Sequence, residues 1–91
     1  MAMISDWLKI DGENVLQSLN QVSEKLNGAD GELVLDFTAV RRINAGAIAA
    51  MEALARKAKE KSVKVVLRGV NVEIYKVLKL SRLTTRFVFL S

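Results

Sequence analysis

The sequence predicts one α/β domain in which four strands alternate with three helices, in the order β-α-β-α-β-α-β. Three observations lead to this fold class. The chain has 91 residues, of which 51% are hydrophobic and 26% charged, which suits a single two-layered core. Extended and helical apolar patterns alternate along it. It contains no proline, which favours regular elements with short connections. Such an order implies a largely parallel or mixed sheet covered by its helices.

The first half of the chain supplies two strands and one helix. Residues 7–10 are predicted to form a short strand, which the turn signal Asp11-Gly12 ends. The first helix is predicted over residues 13–27, because one apolar stripe recurs at helical spacing: Val15, Leu19, Val22 and Leu26. The nearly unbroken apolar run 32–37 predicts a central strand that is covered on more than one side.

The second helix follows a short loop and begins at a capping residue. Residues 38–43 are predicted to form this loop, and Asn44 can cap a helix that runs from Ala45 to about Lys61. Its first half is apolar and small, and its end is basic, which suits the helix dipole.

The last third of the chain completes the alternation. A strand is predicted over residues 63–67, and Asn71 can cap a helix over residues 72–80. A final strand is predicted over residues 86–90, with Phe87 and Phe89 on one face.

The composition excludes several classes of chemistry. The chain has no cysteine and no histidine, so it lacks disulfides, the usual zinc ligands and the commonest general base. No paired carboxylates, phosphate-binding loop or nucleophile–base set is present. We therefore predict a domain without catalytic residues, metal or cofactor, and not an enzyme. No apolar stretch approaches the length of a membrane span, so a cytoplasmic location is expected.

Charge is distributed unevenly along the chain. Residues 1–36 carry two basic and seven acidic residues, whereas residues 37–91 carry twelve basic and three acidic ones. The basic half is either a solvated face or a surface for nucleic acid or an anionic membrane. Nucleic acid is the weaker interpretation, since no exposed aromatic platform for bases is evident.

Four segments together resemble the STAS family, the domain of bacterial anti-sigma factor antagonists and of sulfate-transporter tails. A strand ends in an acid (33–37), a tetrapeptide opens a helix (43–48), a strand runs into Gly-Val-Asn (65–71), and a last helix ends in a turn (77–83). Each is common by itself, but their order and spacing cover more than half of the chain. The resemblance implies that residues 1–91 form one STAS-like domain.

The helix-opening tetrapeptide departs from the family pattern. It is commonly Asp-Ser-Ser-Gly, and in the sigma-regulating members a partner kinase phosphorylates the second serine. The corresponding residues here are Asn44, Ala45, Gly46 and Ala47, so glycine occupies the phosphoacceptor position. No hydroxyl-bearing residue occurs between positions 39 and 61. The nearest hydroxyls, Thr38 and Ser62, do not match the motif. A phosphorylation switch of the family's kind, which acts by adding negative charge, is therefore not expected at this loop.

The resemblance implies a protein partner that docks on the loop and on the start of the second helix. The expected docking residues are Arg41, Arg42, Asn44, Ala45, Gly46, Ala47, Ile48 and Ala50. The alternative is that the alanines only permit close packing on the sheet. By resemblance the partner is an anti-sigma factor or related kinase. The alternative partner is the ATPase of an ABC lipid transporter, whose cytoplasmic STAS subunit is also similar.

Three further residues have alternative interpretations. Arg41 and Arg42 either pair with acidic groups of a partner or are simply solvated. Asp36, at the end of the central strand, is expected to brace the following turn. Trp7 is either an interface anchor or, as we expect, a residue that closes the edge of the core.

Overall fold

The predicted order of elements is confirmed. The computed structural model describes residues 6–28 and 31–90. Its elements, in chain order, are β1 (Asp6–Lys9), α1 (Val15–Lys25), β2 (Glu32–Asp36), α2 (Ala45–Glu60), β3 (Lys64–Arg68), α3 (Val72–Leu80) and β4 (Val88–Leu90).

All four strands are parallel and follow one another in the sheet in the order β1-β2-β3-β4. Right-handed crossovers that always advance in the same direction place every helix on the same face of the sheet. Accordingly, the buried residues of all three helices join inward-facing strand residues such as Leu33, Leu35 and Leu67 in one hydrophobic cluster. Burial of this cluster is the main stabilising contribution to the fold.

The opposite face of the sheet has a different composition. The strand register aligns Trp7, Val34, Val66 and Val88 in one row across it. Val34 and Val66 are buried, although both lie outside the helix-covered cluster. The apolar side chains of β2 are therefore buried on both faces of the sheet, as predicted. The described helices, however, cover only one of these faces.

Trp7 does not close the edge of the core, so that expectation is wrong. Alternation along β1 turns Leu8 towards the core and Trp7 towards the opposite face, where 56% of it is exposed. The guanidinium carbon of Arg68 lies 5.1 Å from the centroid of the indole ring. At this distance a cation–π attraction stabilises the pair.

The predicted starts of α2 and α3 are confirmed, whereas α1 begins at Val15, two residues after its predicted start, and the last strand is shorter than predicted. The side-chain oxygens of Asn44 and Asn71 each accept a hydrogen bond from a backbone N–H three residues later, at 2.8 Å. The backbone N–H of Arg86 donates to the carbonyl of Leu83, which forms a turn and delays β4 to Val88. Phe87 and Phe89 both pack on the core, as their spacing predicts.

The parallel topology gives the molecule two distinct ends. At the carboxyl end of the strands, the three loops that leave β1, β2 and β3 meet the starts of the three helices. We call this the carboxyl-end edge. At the amino-end edge, the helices finish and the following strands begin.

Candidate partner-docking site

The β2–α2 loop (residues 37–44) occupies the middle of the carboxyl-end edge. Its strand, β2, lies between β1 and β3, so the loop has the β1–α1 and β3–α3 connections on its two sides. Val40 is buried within the loop, and its N–H donates to the carbonyl of Phe37 at 2.9 Å. The loop is therefore anchored at its centre while its flanks reach the surface.

Two glycines let the neighbouring connections approach the β2–α2 loop closely. A Cβ atom added to Gly12 would overlap the backbone carbonyl of Ala39. A Cβ atom added to Gly69 would overlap the side chain of Thr38, and Gly69 also has a positive φ of 74°. Glycine is required at both places, since neither approach leaves room for a side chain.

Asn71 makes the polar connection between α3 and the β2–α2 loop. Its Oδ1 atom caps α3, and its Nδ2 atom donates to the carbonyl of Arg41 at 3.0 Å and to that of Val40 at 3.3 Å. The sequence indicates only the cap. The bonds to the loop span some 30 residues of sequence and carry no local signal.

Asp36 braces the first turn of the same loop. Its Oδ1 atom accepts hydrogen bonds from the hydroxyl of Thr38 at 2.7 Å and from the Thr38 backbone N–H at 2.9 Å. The hydroxyl bond, followed by the backbone bond, lowers the pKa of Asp36 below its ordinary value. Arg68 lies 3.9 Å from the other carboxylate oxygen. The expected structural role of Asp36 is thus confirmed.

Arg41 and Arg42 project from the loop as exposed cations. Among the residues that the structure describes, neither arginine forms an ion pair. Asp11 and Glu13 line a shallow depression with both arginines, and Glu73 lines a second one on the other side. The pKa of Asp11 is lowered, chiefly by a hydrogen bond from the Glu13 backbone N–H. The two guanidinium groups are therefore available to a partner.

The start of α2 divides into exposed and buried positions. Asn44, Ala45 and Gly46 are exposed, and a Cβ atom added to Gly46 would approach only Asn44 Oδ1, at 3.4 Å. Ala47 is 2% exposed and belongs to the core, which corrects its assignment as a docking residue. Ala47 lies one helical turn before buried Met51, so helical periodicity places both side chains on the face of α2 that packs on the core.

Two other expected docking residues are partly covered. Ile48 and Ala50 are half-buried and pack against the core, so they present at most an edge to the surface. Ala49 is exposed, one turn after Ala45 on the same face of the helix, and was not among the docking residues expected from the sequence.

Leu16 is a second surface residue that the sequence analysis missed. It lies on α1, is 48% exposed, and lines an open groove of about 510 Å³ with Arg42 and Asn44. Its position beside the apolar stripe of α1 is the signal that could have identified it. The structure thus brings Leu16, the arginine pair and the α2 start to one surface, which we call the docking surface: Leu16, Arg41, Arg42, Asn44, Ala45, Gly46 and Ala49.

The described residues hold no cluster of three or more acidic side chains that would suit a metal ion. Within the same ranges, no helix has both the length and the apolar character needed to cross a membrane.

The docking surface is a shallow, polar and cationic area around a small-residue helix start. Such an area suits contact with another macromolecule better than enclosure of a small ligand.

The four parallel strands and three helices form a small parallel α/β module. The chain belongs to the family described as Mlab, STAS domain, which matches residues 5–90. No curated protein sequence matches it.

Solved structures of one protein share the fold. A proposed anti-sigma factor antagonist from Thermotoga maritima, the protein TM1081, superposes with a TM-score of 0.71 in its crystal structure. The match has 19% sequence identity and covers 96% of this chain and 74% of the other. The NMR structure of TM1081 gives a TM-score of 0.73 at 15% identity, covering 99% and 78%. At these identities the similarity establishes the fold alone.

Proposed function

We propose that this STAS domain is a non-catalytic, cytoplasmic interaction module that binds a protein partner through its docking surface. The observation that carries the proposal is a firmly held loop beside an accessible helix start. The loop presents two exposed arginines that form no ion pair with any residue the structure describes. A loop that is already fixed loses little conformational entropy on binding, which favours affinity.

The proposed partner is the regulatory domain of an anti-sigma factor or related kinase. The fold shared with a proposed anti-sigma factor antagonist supports this choice. Membership of the STAS family is common to both candidate partners. The cationic loop fits an acidic region on the partner, since complementary charge accelerates and orients association.

Binding is proposed to be constitutive. Gly46 occupies the family's phosphoacceptor position, and no hydroxyl-bearing residue lies between positions 39 and 61. A kinase therefore has no group at the start of α2 on which to place a phosphate, and Thr38, the hydroxyl-bearing residue of the loop, does not occupy the family's phosphoacceptor position. The docking surface thus keeps its positive charge.

The experiment compares two identical substitutions at opposite edges of the molecule. Gly46→Asp introduces a carboxylate on the docking surface, where an added side chain has room. Gly28→Asp is the matched control. Gly28 is exposed after the end of α1, and an added Cβ atom would meet no atom within 4 Å. Both variants should stay folded by circular dichroism.

Wild type and both variants are used as bait in a native lysate, and retained proteins are identified by mass spectrometry. An anti-sigma-type kinase retained by wild type and Gly28→Asp, but not by Gly46→Asp, supports the proposal. Retention of a transporter ATPase with the same dependence on Gly46 would replace the proposed partner with the alternative one. Equal retention of the kinase by both variants would place its binding surface elsewhere.

A further inference from the structure

The amino-end edge, opposite the docking surface, carries a dense set of exposed cations. They come from the ends of α2 and α3 and from the segments that begin β3 and β4, which the topology brings together. We call this set the basic end: Lys59, Lys61, Lys64, Lys79, Arg82 and Arg86, all of them exposed.

Few acidic groups offset these charges. Lys64 lies 3.8 Å from a carboxylate oxygen of Glu32, and Glu60 adjoins Lys59 and Lys61 in the chain. The other cations of the basic end form no ion pair within the described residues. Asp30, which precedes β2, lies outside those residues. The basic end therefore keeps a clear excess of positive charge.

An exposed leucine lies among the cations. Leu80 is the last residue of α3 and is 85% exposed, the largest value among the exposed large hydrophobic residues described. Lys79 precedes it, Arg82 follows two residues later, and Lys76 lies one turn before it on the same helix face. Leu80 gains no stability from the core in this position.

Arg82 adopts a backbone conformation that favours glycine. Its φ is +60°, at the position where α3 is closed by a hydrogen bond from the Leu83 N–H to the Leu78 carbonyl at 2.8 Å. An arginine at such a position costs backbone strain that glycine would not incur.

We propose that the basic end binds the surface of an anionic lipid bilayer. Leu80 enters the interfacial region, and the surrounding cations contact lipid phosphates. An exposed aliphatic side chain adds affinity for a bilayer but has no counterpart in a nucleic-acid phosphate backbone. The aromatic residue of this end, Phe87, is buried, so it is not available to stack on bases. In this orientation the docking surface faces away from the bilayer.

The test is co-sedimentation of the purified domain with large unilamellar vesicles at low salt. Vesicles of phosphatidylcholine alone are compared with vesicles that also contain phosphatidylglycerol. We expect binding only to the phosphatidylglycerol vesicles, and its loss at high salt, where surface charges are screened. A labelled DNA duplex is titrated in parallel.

Three variants locate the site. Arg82→Gly removes one cation and also relieves the strained backbone, so it should remain folded; we expect binding about fivefold weaker, the effect of one cation near an anionic membrane. Leu80→Ser should weaken binding by about tenfold, because an apolar side chain no longer enters the bilayer. Lys9→Gln, which removes one exposed cation from the carboxyl-end edge, should leave binding unchanged.

The expected pattern of losses would support the proposal. Absence of binding to phosphatidylglycerol vesicles at low salt would overturn it. Equal losses in Lys9→Gln and Arg82→Gly would show a general effect of net charge and would also overturn it. Duplex binding that depends on Arg82, combined with vesicle binding that is insensitive to Leu80→Ser, would assign the basic end to nucleic acid instead.

Discussion

Asn71 is predicted to stabilise the docking loop as well as α3, and these two contributions can be separated by substitution. Asn71→Ser retains an oxygen that caps the helix but removes both side-chain donations to the loop carbonyls. Asn44 is a matched control, because it caps α2 at the same 2.8 Å and its side-chain amide makes no other hydrogen bond among the described residues. Asn44→Ser should therefore leave stability almost unchanged.

The expected magnitude follows from the two lost bonds. A neutral hydrogen bond contributes about 0.5–1.5 kcal/mol net. The bond to the Val40 carbonyl is long, at 3.3 Å, and the bond to Arg41 is exposed. We therefore expect Asn71→Ser to lower the free energy of unfolding by about 1–2 kcal/mol. Asn71→Ala also removes the cap, worth about 1 kcal/mol more.

Urea-induced unfolding of the three variants and of wild type measures these differences. Amide hydrogen exchange provides a local readout, and exchange at residues 41–43 should accelerate in Asn71→Ser but not in Asn44→Ser. Equal stability of Asn71→Ser and Asn44→Ser, with unchanged exchange in the loop, would refute the role of the Asn71 amide in holding the loop.

Three further predictions concern residues around the same loop. Gly12→Ala should destabilise the domain by about 1–3 kcal/mol in urea unfolding, because the new Cβ overlaps the Ala39 carbonyl; wild-type stability would show that the two loops separate without cost. Gly46→Ala should instead stabilise it by up to about 1 kcal/mol, since the site is open and alanine favours a helix; a loss of stability would contradict the open geometry. Because its pKa is lowered, Asp36 contributes stability above its ordinary pKa of 3.8 that is lost as pH falls through the lower folded value. Asp36→Asn should flatten the dependence of stability on pH in this acidic range, and unchanged curves would refute the contribution of the Thr38 bonds.

The sequence predicted those features that depend on local spacing. The caps at Asn44 and Asn71, and the core positions of α1, follow from hydrogen bonds or periodicity within a few residues. The parallel sheet followed from the alternation of elements.

The features that the sequence did not predict depend on contacts between distant segments. Gly12 was interpreted only as a turn signal, but its essential contact is with Ala39 in another loop. Which side of β1 faces the helices depends on the whole sheet, so Trp7 was misplaced.

Alanine-rich α2 shows why the docking residues were only partly predicted. Alanines occur all around the first half of this helix, so they provide little hydrophobic contrast between its faces. The packing of α2 on the sheet, rather than its sequence, therefore determines that Ala47 is buried and Ala49 is exposed.

The central claim is that a protein partner binds the carboxyl-end edge. It is tested most directly by NMR chemical-shift mapping of the isotopically labelled domain with the identified partner. We predict perturbed and protected amides at Leu16 and at residues 41–49, with little change at the amino-end edge. A footprint confined to the sheet face that carries Trp7, or to the basic end, would contradict the claim.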